Sequence, residues 1–353
     1  MNAFFFVVDE RLADIATAQA LRIASLWQTQ VHIFVERRDP SARIRQAQDA
    51  PLIHYHYDRL LPFLPAGLPG STAWPNIVYL RIFAPFVLSG YRRLIYLDAD
   101  IHAQRALPAI WDVPLPSGLG AVCDCGVLDC PPPDVRGERA DWLADISVRS
   151  GRYFNSGVLV IDPQIWTGID FAARMPAYFA THPTVTRYDQ DFLNHVFDGN
   201  WVELTPQMNC QAPMMICGLS DCVNPAFLHF SQYEKPWYGL PSGWRSAISR
   251  RFTLAFDQAL QQAGFDPDAY RRDAGISGFR RLKYGLRRAL SRAGLRLSKE
   301  RRQRHDWHQR RATIAQHLAA GMAQGAFAGG DMAQTGLPAA TPIFDGRFIR
   351  AEL

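Results

Sequence analysis

Short apolar runs alternating with amphipathic stretches predict an α/β chain built on a parallel sheet. Phe4 to Val8, Val31 to Val35 and Leu94 to Leu97 read as strands, with helical patterns over Ala16 to Trp27 and Pro75 to Leu88 between them. Two of these strands end in acid: Val8 runs into Asp9, and Leu97 into Asp98-Ala99-Asp100. In an open sheet of this kind ligands bind beyond the carboxyl ends of the strands, so both acidic ends should face one crevice.

The 353 residues leave room for an α/β unit of about 250 residues and an extension. A composition of 48% hydrophobic and 20% charged residues is that of a globular chain, and no run reaches the about 20 apolar residues a membrane-spanning helix needs. The opening Ala3-Phe4-Phe5-Phe6-Val7-Val8-Asp9 lacks a basic leader and ends after six apolar residues, so it reads as a first strand rather than a secretory signal. Six cysteines (Cys123, Cys125, Cys130, Cys210, Cys217, Cys222) show no paired zinc-type spacing and are expected to be reduced and mostly structural.

Further along, strands are expected at Gly120 to Cys123, Val158 to Ile161, Trp201 to Leu204 and Phe227 to Phe230, with helices near Phe171 to Ala180 and Gln190 to Phe197. Pro131-Pro132-Pro133 and the segment to Arg152 read as a loop or lid, because successive prolines continue neither helix nor central strand. After Trp244 the pattern becomes helical, first over Ala247 to Ala263. Between Ile276 and Ala312 stand thirteen Lys and Arg against Glu300 and Asp306, a local charge of +11 that leaves the rest at −6 within a net charge of +5. Phe279, Leu282, Leu286, Leu290 and Leu297 recur mostly at helical steps among these arginines, the outline of an interfacial amphipathic helix. The chain is thus divided into residues 1–245 as the α/β unit, 246–312 as a helical, basic extension, and 313–353 as an Ala/Gly-rich tail expected to be flexible.

The chemistry begins at Asp98 and Asp100. On a strand they point the same way, and two carboxylates aimed at one point call for a proton or a hard cation such as Mg²⁺ or Mn²⁺. Such ions usually sit between carboxylates and substrate phosphates, which suggests a phosphate-bearing ligand. In Phe154-Asn155-Ser156-Gly157-Val158 a polar turn leads into a strand; Asn155 suits a sugar hydroxyl and Gly157 lets backbone approach closely. Asp189-Gln190-Asp191 precedes a helix, where either acid also serves as an N-cap. His229 in Phe227-Leu228-His229-Phe230 suits a core histidine or a metal ligand, and Lys235 six residues on suits a phosphate.

Taken in order, Asp9, Arg81, Leu97-Asp98-Ala99-Asp100, Phe154 to Val158, Asp189-Gln190-Asp191 and His229 with Lys235-Pro236-Trp237 resemble the family-8 retaining glycosyltransferases over roughly residues 3 to 240. That family includes bacterial lipopolysaccharide glucosyl- and galactosyltransferases and glycogenin. The resemblance implies a GT-A fold, a Rossmann-like mixed sheet flanked by helices, and a UDP-glucose or UDP-galactose donor used with Mn²⁺ or Mg²⁺. It implies Asp98, Asp100 and His229 as metal ligands, and Asp9, Arg81, Asp98, Ala99, Asn155, Ser156 and Lys235 as donor contacts, Asp9 at the uracil and Lys235 at the diphosphate. Gln190, Asp189 and Asp124 are implied around the reacting sugar, Gln190 on the face opposite the leaving group. Three places depart from the family pattern: Glu10-Arg11-Leu12 after the first-strand acid, Ser231 to Glu234 where a glycine usually stands, and Pro85 within the helix expected to carry Arg81.

The function expected is therefore a metal-dependent, retaining hexosyltransferase acting on a lipopolysaccharide or other lipid-linked saccharide, cytoplasmic and peripheral on the inner face of the cell membrane. Residues 276–312 would meet an anionic membrane surface rather than nucleic acid, since a bare electrostatic arm needs no apolar stripe. The acceptor is expected against the 125–150 loop and the segment after Lys235. Two other readings remain open from the residues: a haloacid-dehalogenase-like phosphatase with Asp98 as nucleophile, and a non-catalytic basic membrane adaptor.

Overall fold

The computed structural model describes residues 1–39, 41–47, 49–70, 76–231, 235–238, 250–270, 282, 286 and 298–332. Its strands are β1 (Asn2–Asp9), β2 (Gln30–Glu36), β3 (Ile53–Tyr57), β4 (Arg93–Leu97), β5 (Ile101–Ala103), β6 (Leu119–Cys123), β7 (Phe154–Ile161), β8 (Val202–Glu203), β9 (Cys210–Gln211) and β10 (Phe227–His229). The helices used below are α1 (Ala13–Trp27), α2 (Arg139–Asp145), α3 (Phe171–Thr181), α4 (Tyr188–Val196), α5 (Arg250–Gln262) and α6 (Ser298–Ala323).

Seven strands form the main sheet in the order β3-β2-β1-β4-β7-β6-β8. The alternation of β1 shows why these runs are continuously apolar: Ala3 and Phe5 enter one core layer, Phe4, Phe6 and Val8 the other, so both faces are covered. On one side Ile23 and Trp27 of α1 pack with Phe4, and Trp27 stacks on Phe227 with rings 5.6 Å apart. On the other, Trp166, Phe171 and Phe192 pack under Tyr96 and Phe154.

The sheet is mixed, not parallel as the alternation alone suggested. β7 runs antiparallel to both β4 and β6, while β1 pairs parallel with β2 and β4, and β6 with β8. This reversal places the start of β7 beside the ends of β4 and β6, with Val158 opposite Leu97 and Phe154 opposite Cys123. A second, three-stranded sheet, β5-β10-β9, begins directly after Asp100 and pairs His229 with Ile101.

Several local expectations are corrected. Asn155, Ser156 and Gly157 are the first part of β7 rather than a turn: Asn155 pairs with Val122 of β6, and the Gly157 carbonyl accepts from the Asp98 N–H at 2.9 Å, contacts that outweigh their local turn preference. The helix expected over 75–88 is a 3₁₀ segment, Asn76–Ile82, followed by a separate turn, Ala84–Val87; Pro85 sits in the first turn of that second piece, where its missing N–H costs nothing. Pro75 lies outside the described residues. Within the loop expected from 130 to 152, α2 buries Trp142 and Leu143 in the core and so anchors it. Of the stretch expected as a flexible tail, 313–353, the described part is helical to Ala323, and beyond it Ala328 bridges to Leu204 while Asp331 pairs with Arg105 at 2.7 Å; residues 333–353 lie outside the described residues. Ile314 and Leu318 of α6 join Ile15 of α1 and Phe256 of α5 in a third apolar cluster.

Of the residues expected in the amphipathic helix, only Leu282 and Leu286 are described, both helical and 73% and 62% exposed; Phe279, Leu290 and Leu297 lie outside the described residues. No helix among the described residues is long and apolar enough to cross a membrane. All six cysteines carry free thiols.

Candidate active site

The two acids after β4 converge, but through a turn rather than a strand pleat. β4 ends at Leu97, and the N–H of Ile101 closes a tight turn on the Asp98 carbonyl at 3.1 Å. Within it, the carboxylates of Asp98 and Asp100 and the His229 ring bring ligand atoms within 4.8 Å of one another. His229 Nε2 stands 3.4 Å from Asp100 Oδ1 and 3.8 Å from Asp98 Oδ2. The pairing of β10 with β5 makes this possible, since it lays His229 beside the residue that follows Asp100.

Two features fit this trio to a hard or borderline divalent cation. Asn209 donates its side-chain N–H to Asn155 Oδ1 at 2.9 Å, so its own oxygen accepts from His229 Nδ1 at 2.9 Å; the Nε2 lone pair is left facing the carboxylates. Gly157 backs the site, where a Cβ would lie 2.3 Å from His229 Cε1 and 2.9 Å from Asp98 Oδ2. Gly157 was expected to admit a ligand; it admits the His229 ring and the Asp98 carboxylate instead.

Charge is closely matched around these acids. Lys235 Nζ lies 2.5 Å from Asp100 Oδ2, and Arg81 Nη1 lies 2.9 Å from Asp98 Oδ1. Burial alone would raise the Asp100 carboxyl, but the Lys235 ammonium holds it below its ordinary value. Arg81 is buried, lies 4.6 Å over the Tyr96 ring and reaches Asp189 at 3.4 Å. Burial would lower its pKa, yet Asp189 and Asp98 raise it and keep the guanidinium charged. Asp189 itself is pushed up to about 6 by burial, which Arg81 only partly offsets, and its Oδ2 receives no hydrogen bond among the described residues.

Gln190 is held on both sides of its amide. Its oxygen accepts from the Ser156 N–H at 3.0 Å, and its nitrogen donates to Asp124 Oδ2 at 3.0 Å. Asp124 also accepts from the Gly126 N–H at 2.8 Å. Asn155 joins the two halves: its oxygen accepts from Asn209 and from the Gly157 N–H, and its nitrogen donates to Asp124 and Gln190. Asp191 is structural, accepting from the Arg187 N–H and the Tyr153 hydroxyl, which also receives a Gln190 N–H. Immediately before Asp189, Tyr188 has a left-handed φ of +35°. Ala99 lies within the acidic turn itself.

Asp9 ends β1 at the same edge, buried, its carboxylate gripped by Arg11 through Nε at 3.0 Å and Nη2 at 2.6 Å. The substitution pattern after the first-strand acid thus fills the side of Asp9 with a guanidinium. Sequence reasoning missed Asn209, Tyr96 and Tyr153. Tyr96 donates to Asp98 and stands two residues before it, a spacing that could have marked it; Asn209 carries no local signal.

A mixed sheet whose reversed strand meets an acid-rich turn, with an imidazole from a second small sheet and a lysine from the segment that follows it, defines an α/β protein of the GT-A class. The profile described as Glycosyl transferase family 8 matches residues 64–240, half of the chain, and the protein belongs to that family. Its sequence is 29% identical to general stress protein A of Bacillus subtilis over 178 residues, covering 45% of this chain and 58% of that protein. It is 26% identical to lipopolysaccharide glucosyltransferase WaaO of Escherichia coli over 203 residues, 54% of this chain and 56% of the relative. The chain therefore spans a little over half the length of these two curated relatives. Among solved structures, galactosyltransferase LgtC in complex with donor and acceptor sugar analogues superposes with a TM-score of 0.59 at 21% identity, over 77% of this chain and 99% of that one. The bifunctional glycosyltransferase WbbM gives 0.58 at 16% identity, over 77% and 51%.

Proposed function

We propose that this protein is a metal-dependent, retaining hexosyltransferase that moves glucose or galactose from a UDP-sugar to a lipopolysaccharide or other lipid-linked saccharide. The observation that carries the reading is the convergence of Asp98, Asp100 and His229 on one point with Lys235 beside it. The family and the glycosyltransferase relatives support a nucleotide-sugar donor; the phosphatase and adaptor readings have no comparable support.

Asp98, Asp100 and His229 would hold Mn²⁺ or Mg²⁺, and the bound ion supplies positive charge that stabilises the diphosphate leaving group. Lys235, now paired with Asp100, is placed to turn its ammonium to the same phosphates once the carboxylate is otherwise neutralised. Asp9 and its Arg11 partner would meet the base. Asp189, paired with Arg81, and Asp124 place negative charge near the anomeric carbon as it becomes cationic.

Gln190 is a poor nucleophile, because an amide is neither charged nor basic and both its ends are engaged. This favours front-face substitution. The bond from the anomeric carbon to phosphate oxygen breaks, the acceptor oxygen bonds on the same face, and the acceptor's hydroxyl proton passes to the departing phosphate. We place the protein on the inner face of the cell membrane, in the cytoplasm, with residues 276–312 against anionic lipid and the acceptor saccharide near the 125–150 loop.

The test is a screen of UDP- and GDP-sugars with and without Mn²⁺, following nucleotide release and repeated with Asp98→Ala and Asp100→Ala. We expect Mn²⁺-dependent release from one UDP-hexose, lost in both variants. Release that persists in both variants, or no turnover of any UDP-hexose, would sink the reading.

A further inference from the structure

A second cluster of metal-ligating side chains stands apart from the one above and shares no residue with it. Cys123 at the end of β6, Glu203 in β8 and His317 on α6 bring sulfur, carboxylate oxygen and ring nitrogen within 4.8 Å of one another. Strand pairing assembles the first two: Glu203 lies opposite Ala121, and Cys123 follows two residues on, on the same face. The docking of α6, with Ile314 and Leu318 buried in the third cluster, delivers the imidazole. Cys123 is buried, and the Glu203 and His317 side chains are 16% and 27% exposed.

Glu203 Oε1 is shielded from solvent and pairs with His317 Nε2 at 3.1 Å, an ion pair without the alignment of a hydrogen bond. The other carboxylate oxygen is fixed by Arg152 Nη2 at 3.3 Å, whose guanidinium lies 4.0 Å from the Trp201 ring centre. That contact steers Oε1 inward, as an outer partner orients a ligating carboxylate. Among the described residues, the Cys123 thiol donates to the Tyr153 carbonyl at 3.4 Å.

We propose that Cys123, Glu203 and His317 form a zinc site that fastens α6 to the sheet behind Asp124. A thiolate, an imidazole and a carboxylate are the donor set of Zn²⁺ rather than of the harder Mn²⁺ or Mg²⁺, so the two sites separate by chemistry. Ligand atoms around tetrahedral zinc lie about 3.3 to 3.6 Å apart, within small side-chain rotations of the observed spacing. The partial exposure leaves a fourth position for water. On binding, the thiol proton goes to solvent and a sulfur–zinc bond replaces the bond to Tyr153; nothing is oxidised. Burial, with Glu203 and Asp124 close by, pushes the free thiol's pKa up, and a bound cation reverses that balance.

The test uses the full chain, stripped with chelator and titrated with Zn²⁺ or Co²⁺. We expect Co²⁺ to give a thiolate charge-transfer band in the near ultraviolet that is unchanged in an Asp98→Ala, Asp100→Ala double variant. Cys123→Ser should abolish the band, and His317→Gln should weaken Zn²⁺ binding at least tenfold. His317 is partly exposed, so its variant tests the site even if Cys123→Ser fails to fold. Cobalt binding without a thiolate band, or zinc binding lost entirely in the double Asp variant, would overturn the proposal and leave Glu203 and His317 as an ion pair only.

Discussion

Asp189 carries two opposed demands: its charge pairs with Arg81, yet burial pushes its pKa up to about 6 from 3.8. A carboxylate whose folded-state pKa is raised binds its proton more tightly folded than unfolded. Its ionisation therefore lowers stability as pH rises from about 4 to 6, and the cost is constant above that. Asp189→Asn should then be more stable than the parent at pH 7.5, by up to about 3 kcal/mol, and no more stable at pH 3.5. Denaturant unfolding at the two pH values checks this, and a variant less stable at pH 7.5 would show that the Arg81 pair outweighs burial. Gly157→Ala makes a different demand, since the added carbon meets His229 and Asp98. We expect Mn²⁺ affinity to fall at least tenfold while the far-UV spectrum is retained; isothermal titration decides, and unchanged affinity would mean the ring can move aside. At this scale the sequence was informative where residues are contiguous. Asp98 and Asp100 were readable as a pair, and the order of motifs brought in His229 and Lys235. The bond from Asn209 to His229 was not readable, because it joins residues twenty apart through the pairing of β9 with β10.

Among the elements, β7 has the largest effect on the site. Its polar start reads as a turn from local preference, but the reversed direction lays Asn155 and Ser156 against Gln190. The continuously apolar strands β1, β2 and β4 were legible because both their faces are covered. By contrast β3, Ile-His-Tyr-His-Tyr, is an edge strand whose apolar pattern is faint, and β5 is three residues long. Helix α6 reaches the proposed reacting centre through one loop: Arg310 donates to the Gly126 carbonyl at 3.3 Å and Thr313 to Asp129 at 2.8 Å. Gly126 in turn donates its N–H to Asp124, which holds Gln190. Losing bonds worth about 1 kcal/mol each should loosen this turn without touching Asp98, Asp100 or His229. The double variant Arg310→Ala, Thr313→Ala should lower kcat about three- to tenfold and leave Mn²⁺ affinity unchanged. Unaltered kcat, or a parallel loss of Mn²⁺ affinity, would contradict that path.

For the whole molecule, the uneven charge pointed to a body and a basic extension, yet the boundary between them is not a clean one. The helical pattern and basic charge run on through residues 298–312, but α6 turns its apolar residues inward: Ile314 and Leu318 are buried with Phe256 and Ile15. Ending the chain after Gly275 would therefore do two things at once. It would remove the surface proposed for membrane contact, and it would strip two aliphatic side chains from the core, at a cost of about 3 to 6 kcal/mol. Leu282 and Leu286 separate these effects, since both are exposed and neither belongs to a core cluster. We expect Leu282→Ser with Leu286→Ser to weaken sedimentation with anionic vesicles at least tenfold while leaving Tm and transfer to a soluble acceptor unchanged. The chain ended at residue 275 should instead lose several degrees of Tm together with vesicle binding. If the double serine variant still sediments as the parent does in moderate salt, apolar insertion at these leucines is not what holds the protein to the bilayer.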